Sequence, residues 1–324
     1  MPYTAQTPHH QSFALVCDSS CDIDSHALAA AGVYVVPFYI QNDKIKRREC
    51  NEISSQEFYA EYTTSRARFV AAAPSTEDYL SLFEELQDKG YTQVLSLHAS
   101  QRIANSYESA LEAARRVAQI KVCVLETKCI SAGLALVTAA ALRSRLLGHT
   151  LEETAEHAAR VANTVRFMLI LPPQRTSIYQ QTRSLLPSVL TEAKRLHARA
   201  LSLRRVISVE KNGEARELYQ STNLQLLAGR IVRTMSLISQ KEGTLTYLEL
   251  SAGIPKFLSG IEKPLDTNEF ESHLAGALSA HPSNTIRFGI GAVGVAFVPS
   301  EYVPADFMCA FLAQEDLSCM LSHN

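Results

Sequence analysis

Along the first half of the chain, short apolar runs alternate with longer stretches whose apolar positions recur every three to four residues. Phe13 to Val16 is an apolar run closely followed by Asp18-Ser19-Ser20, which predicts a buried strand entering a polar loop. Asp24 to Ala31 predicts a short helix closed by Gly32, capped by Asp22 or Asp24. Val33 to Ile40, rich in β-branched and aromatic residues, predicts a second strand. Ser54 with Glu57 forms a capping box for a helix through Tyr62. Pro74 to Asp78 opens a helix with an apolar face of Tyr79, Leu82, Phe83 and Leu86, stopped by Gly90. A strand at Val94, Leu95 and Leu97 leads through a polar loop to a helix from Ser106 to about Val117. Val122 to Leu125 is a further strand; Ser131 precedes a small-residue helix to Leu147, stopped by Gly148, and Thr150 with Glu153 caps a helix to about Ala162. This alternation predicts a parallel α/β domain over residues 12–165. Ligands in such sheets bind just past the carboxyl ends of strands. Asp18, Ser19, Ser100, Asn105 and Ser106 occupy such positions, although Asn105 or Ser106 reads equally as a simple helix cap.

The second half, residues 166–324, patterns differently. Phe167 to Leu171 predicts a strand broken by Pro172-Pro173, and Thr176 to about Leu203 predicts helix with an interruption at Pro187. Arg205 to Glu210 and Ala215 to Tyr219 flank Asn212-Gly213, a hairpin signal. A helix fits Leu224 to Ser239, a strand Leu245 to Leu250, and a helix Phe270 to Ala280. Strands at Thr285 to Phe288 and about Val293 to Val298 close the pattern, Pro299 ending the last. The expected fold class is therefore α/β with two domains: a parallel N-terminal domain and a C-terminal α/β domain with a mixed or antiparallel sheet.

Composition narrows the function. A net charge of −2 gives no electrostatic case for nucleic acid, and the basic run at Lys44 to Arg48 reads as solvated surface. No apolar run reaches the roughly 18–20 residues of a membrane helix. Met1 to Gln11 has neither the charge nor the apolar core of a secretory signal. Seven cysteines without a C-x-x-C pair fit reduced thiols in a cytoplasm, and no metal or other cofactor is expected. Gly289 to Gly294 matches G-x-G-x-x-G, but a dinucleotide site needs a helix after the glycines, whereas Val295 to Val298 reads as strand. A strand entry where backbone closely approaches a ligand or another chain fits better. Asp18-Ser19-Ser20 could hold a nucleophile, but no histidine is placed by the sequence as its base, and His98 reads as a structural histidine.

Several motifs in order carry a resemblance. Val16 to Ile23 (VCDSSCDI), Gly32 to Pro37, Ile53 to Tyr59, Ala73-Pro74-Ser75, His98 to Ala110, Val124 to Lys128 and Gly289 to Phe297 (GIGAVGVAF) together resemble the DegV family of bacterial fatty-acid-binding proteins. The resemblance implies two α/β domains enclosing one long-chain fatty acid, its carboxylate near the domain junction, and presentation of the acid to a fatty-acid kinase. It implies carboxylate contacts at the positions of Ala71, with Ala72 beside it, of Ala104, and of Arg287, with Gly289 and Gly291 following. None of Ala71, Ala104 and Arg287 keeps the family residue; two hydroxyls are lost and a histidine becomes arginine. Arg183 is the nearest match to a further basic stretch of the family. Each missing donor would forfeit about 1.5–3 kcal/mol to a buried carboxylate, so Arg287, expected on a strand opposite Ile286 and Phe288, becomes the candidate anchor. The expected function is non-catalytic binding of a fatty acid or related lipid. The alternatives are a serine-dependent hydrolase using Ser19 or Ser100, and a degenerate paralogue acting through protein contacts.

Overall fold

A computed structural model describes residues 13–65, 67–173, 202–266 and 270–321. In the first half, β1 (Ala14–Asp18), α1 (Ser25–Ala30), β2 (Val33–Val36), β3 (Tyr39–Gln41), β4 (Lys46–Arg48), α2 (Ser55–Thr64), β5 (Val70–Ala72), α3 (Thr76–Asp88), β6 (Gln93–His98), α4 (Ser106–Arg116), β7 (Lys121–Glu126), α5 (Ala132–Leu146) and α6 (Leu151–Thr164) follow in order. β8 (Arg166–Leu171), β9 (Arg204–Val209), β10 (Ala215–Ser221), α7 (Leu224–Glu242), β11 (Leu245–Ser251), α8 (Ser259–Asp266), β12 (Ser272–Ser279), α9 (Pro282–Phe288), β13 (Val293–Pro299) and α10 (Ala305–Leu312) complete it. The helix expected from Thr176 to Leu203, and Arg183 with it, fall almost wholly outside the described residues.

The first sheet is parallel, in order β2-β1-β6-β7, and the second is mixed, in order β10-β9-β8-β13-β11-β12, with β11 and β12 its parallel pair. The fold is thus the expected α/β type. Sequence-local signals did most of this work. Capping boxes form at Ser54 with Glu57 and Thr150 with Glu153, and a third at Ser75 with Asp78. β9 and β10 form the hairpin about Asn212-Gly213. Gly213 is required there twice over: its φ is +78°, and a Cβ would lie 2.1 Å from Ser100 Oγ in the other half of the chain.

Three expectations fail. Val33 to Ile40 is not one strand: the chain breaks at Pro37-Phe38, β2 joins the parallel sheet, and β3 joins a small antiparallel sheet in order β4-β3-β5. Pro37, which has no N–H to give a ladder, sits at the break. Phe270 to Ala280 is not a helix but contains β12, parallel to β11 at the sheet edge, with Leu274 exposed and Ala275 and Leu278 buried. Thr285 to Phe288 is not a strand but lies in α9, with Pro282 at its first turn and Gly289 closing it at φ +87°.

The core explains the burial of α5. Its residues Ala132 to Leu142 are all buried, so it has no polar face. A helix apolar all round must be enclosed, and α5 packs against β1 on one side and β8, β11 and β13 on the other. One apolar cluster runs from Leu15 and Leu97 through Leu136 and Val137 to Leu250 and Val298.

Two glycine substitutions should separate close packing from chain entropy. At Gly294, on β13, a Cβ would meet Met168 O at 2.5 Å and Leu169 Cα at 3.1 Å, both backbone atoms of β8. Gly294→Ala should destabilise by about 1–3 kcal/mol through overpacking. Gly229, in α7, has nothing within 4 Å of its Cβ position, so Gly229→Ala should stabilise by about 0.5–1 kcal/mol. Thermal unfolding midpoints check both: the first should fall and the second rise.

Candidate functional site

In the order β2-β1-β6-β7 the chain leaves β1 toward β2 on one side and leaves β6 toward β7 on the other. The crevice past the ends of β1 and β6 is a topological switch point. The loop after β1 enters it as a 3-10 turn, Ser19–Cys21, with Asp22 left-handed at φ 60°. Asp18 is wholly buried there and accepts from Ser20 Oγ and from Ala99 N at 3.2 Å, with His98 Nδ1 at 3.4 Å. Burial pushes the Asp18 carboxyl up, but hydrogen bonds and charge from His98, Ser20 and Ser106 outweigh it and hold it below the usual range.

Two more buried carboxylates from the first half grip the start of α9, which arrives from the second half. Glu49 accepts Ser283 N at 2.8 Å, Ser283 Oγ at 2.9 Å and Ser19 Oγ at 2.5 Å. Asp22 accepts His281 N at 2.7 Å, Asn284 Nδ2 at 2.9 Å and Ser131 Oγ at 2.5 Å. The first backbone donors of a helix have no partner within it, and its N-terminus favours negative charge. Here distant carboxylates do what a local cap does elsewhere. Burial pushes the Asp22 carboxyl up to about 6, against the lowering effects of His281, Ser131 and Asn284.

One turn along α9 stands Arg287, 6 % exposed. Its guanidinium lies over the Phe38 ring, 5.1 Å from the centroid. Nη1 donates to Asn284 Oδ1 at 3.5 Å, Nε has no hydrogen-bond partner, and no carboxylate among the described residues comes within ion-pair distance. Burial lowers the guanidinium from its usual range, opposed by the charges of Glu49, Asp18 and Asp22. The expected placement of Arg287 on one face of a strand is therefore replaced: on a wholly buried helix, Ile286 and Phe288 are enclosed as well.

The remaining candidates divide. Ser106, the first residue of α4, is buried near Asp18, and its Oγ has no partner of normal geometry. Ser19 is committed, donating to Glu49 and accepting Phe38 N at 2.8 Å. Ser100 faces the β9–β10 hairpin: its Oγ donates to Gly213 O at 3.3 Å and accepts Arg102 N at 3.2 Å. Ala104 is buried beside it, its N–H on Ser100 O, and Asn105 is an exposed N-cap residue whose side chain makes no capping bond. Ala71 and Ala72 lie half-buried on β5, and Ala71 packs on the cluster of Ile40, Phe58, Phe69 and Ile286. Gly289 and Gly291 form the turn from α9 into β13, Gly291 N donating to Ala252 O at 2.7 Å. The glycines thus follow a helix and precede a strand, the reverse of a dinucleotide fingerprint. The structure brings Asp18, Ser19, Ser106 and Arg287 to one end of the parallel sheet, and turns Ser100 toward the hairpin.

Sequence reading missed Glu49, Asp22, Phe38, His281, Ser283 and Asn284. Glu49 follows a basic run read as solvated surface, and Asp22 was weighed only as a helix cap, which Asp24 supplies. His98 is fully buried, with Nε2 at 2.8 Å from Ser96 Oγ and Nδ1 at 3.4 Å from Asp18 Oδ2.

The family model described as uncharacterised protein, DegV family, matches residues 12–300. A DegV domain-containing protein of Listeria innocua is 25% identical over 133 residues, 40% of this chain and 47% of that protein. One of Halalkalibacterium halodurans is 30% identical over 109 residues, 34% of this chain and 38% of its own length. The chain thus spans less than half the length of these curated relatives. Among solved structures, a DegV family protein from Thermus thermophilus, described by its fatty acid binding, has a TM-score of 0.77 at 19% identity, over 89% of this chain and 99% of that one. DegV of Bacillus subtilis, described as a fatty acid binding protein, has a TM-score of 0.76 at 17% identity, over 89% and 99%. A stearic acid-binding protein from Eubacterium ventriosum has a TM-score of 0.76 at 17% identity, over 90% and 99%. These likenesses establish the fold, and the family match, which takes in both the parallel and the mixed sheet, places the chain in the DegV family.

Proposed function

We propose that this protein binds one long-chain fatty acid between its parallel and mixed sheets, holds the carboxylate on Arg287, and releases it unchanged. The observation that carries the reading is Arg287 itself: a buried guanidinium with an unpartnered Nε and no carboxylate in contact. Buried charges are normally paired, and a planar fork matches a carboxylate bidentately. The fatty acid descriptions of the structural neighbours agree with that ligand. Ser106 Oγ supplies a neutral donor at the same end of the sheet. A two-domain division at residues 165 and 166, with the ligand between the domains, fits the change from parallel to mixed sheet. A cytoplasmic location and a fatty-acid kinase as recipient complete the proposal. No helix among the described residues is long and apolar enough to cross a membrane.

Binding is favoured over hydrolysis by what the serines do. Ser19 and Ser100 direct their hydroxyls to Glu49 and to Gly213 O, not to a histidine base. Ser96 does meet His98, which faces Asp18, but all three are fully buried.

Native mass spectrometry and lipid extraction should recover an acyl lipid from the purified protein. No recovered lipid, together with no thermal shift across a fatty-acid panel, would refute the reading. Arg287→Ala should weaken fatty-acid binding by about 2–5 kcal/mol, mainly through faster release, and Arg287→Lys should restore only part because it cannot fork. Equal affinity in both variants and the parent chain would move the head-group site elsewhere.

A further inference from the structure

The charge around Arg287 sets a condition on its ligand. Three fully buried carboxylates, Asp18, Asp22 and Glu49, act on this one guanidinium. No other arginine or lysine among the described residues bonds to any of the three; their partners are hydroxyls, backbone N–H groups, Asn284 and two histidines. Arg287 is the one arginine or lysine among the described residues set against all three carboxylates before a ligand arrives. An anionic head group that takes the Arg287 fork adds another negative charge and draws on the compensation the carboxylates had. Unbalanced charge in a dry site is costly, and proton uptake is the usual relief.

Resting on the fatty-acid reading above, we infer that the site takes its long-chain carboxylate together with one proton, and that Asp22 receives it. Asn284 joins the two ends of the exchange: its Oδ1 accepts from Arg287 Nη1 at 3.5 Å, and its Nδ2 donates to Asp22 Oδ1 at 2.9 Å. Asp22 Oδ2 meets the rotatable hydroxyl of Ser131, which can turn from donor to acceptor when that oxygen carries a proton. Asp22 is faced by His281 and Arg287 from the α9 segment, Ser131 from the start of α5, Cys50 after β4, Tyr59 from α2, and Cys21 and Asp24 on its own loop. Asp18 is the poorer acceptor, since His98, Ser20 and Ser106 hold it ionised. Burial pushes the Asp22 carboxyl up to about 6 in the free protein, and a bound anion beside Arg287 raises it further. The sign follows: one proton more in the bound state makes affinity fall as pH rises above about 6, by up to about tenfold per pH unit, and level off below it, where Asp22 is already protonated.

Calorimetry with oleate, kept below its aggregation concentration, decides the matter near neutral pH in two buffers of different ionisation enthalpy. The dependence of apparent heat on buffer should give about one proton taken up per oleate bound, and the dissociation constant should rise severalfold from slightly acid to slightly alkaline solution. Oleyl alcohol, the neutral analogue, should bind without uptake. Asp22→Asn should bind oleate with little uptake and a flattened pH profile. Oleate binding to the parent chain without uptake, or equal uptake in Asp22→Asn, would overturn the proton linkage and leave the fatty-acid reading standing. The parent chain answers the first point even if the variant fails to fold. No oleate binding at any pH would instead overturn the fatty-acid reading, and the linkage with it.

Discussion

The seating of α9 on Glu49 and Asp22 is the contact on which the rest of the site depends. The helix belongs to the segment between β12 and β13, yet its N-terminus ends against carboxylates from the loop after β1 and the strand end after β4. All seven of its residues are buried. A short helix has little stability of its own, so these carboxylates and the surrounding apolar contacts supply what the local sequence lacks. Buried charges held this way are asymmetric in energy. The intact arrangement contributes modest stability, whereas removing one donor leaves a buried carboxylate short of a hydrogen bond at a cost of about 1.5–3 kcal/mol. Such a contact fixes position more than it stabilises, and it fixes where Arg287 stands.

Around that arginine, apolar and polar roles have been redistributed. Ala71 puts a methyl on the cluster formed by Ile40, Ile53, Phe58, Phe69 and Ile286. A hydroxyl at that position would lie against apolar neighbours, and a buried hydroxyl without a partner costs about 1–3 kcal/mol. Ala104, buried above the Ser100 carbonyl, is similarly methyl-bearing. On the proposed reading, the polar function these positions would carry is concentrated in one fork, which lies over the Phe38 ring. Such a trade would replace several weak, separately oriented donors by one strong donor.

How much of this was readable from the chain follows from the range of each interaction. The parallel strands, the capping boxes and the Asn212-Gly213 hairpin are written within a few residues, and the structure has them where the pattern put them. α9 was misread because Thr285, Ile286 and Phe288 have strand propensity, while the groups that satisfy its N-terminus lie more than two hundred residues earlier. β12 was misread in the opposite direction. Leu274, Ala275, Ala277 and Leu278 favour helix, but β11 needs a parallel partner, and that pairing overrides propensity. Glu49 was invisible for a third reason: a charged residue after a basic run looks solvated, and the groups that receive it, Ser19 and Ser283, are distant in sequence. The fold was therefore largely legible, and of the candidate residues Asp18, Ser19, Ser106 and Arg287 meet at one end of the parallel sheet.

The spacing of charge around Arg287 bears on how such a site can both hold and release a ligand. A contact pair with Glu49 would use the donors of the fork, and a ligand would have to break it. At ion-pair contact in an effective dielectric of about 20, two unit charges attract by about 4 kcal/mol. Beyond contact the attraction declines while the donors stay free. Glu49 is instead occupied by Ser19 and Ser283, and Asp22 by Ser131, Asn284 and His281 N. Their charges act on Arg287 without taking its hydrogens. The guanidinium is kept ionised and in place, yet unsaturated. On the proposed reading, a ligand carboxylate would gain the bidentate contact without displacing a protein carboxylate, and the negative surroundings would limit how tightly it is held. On that reading, retention and release would be set by the same three carboxylates.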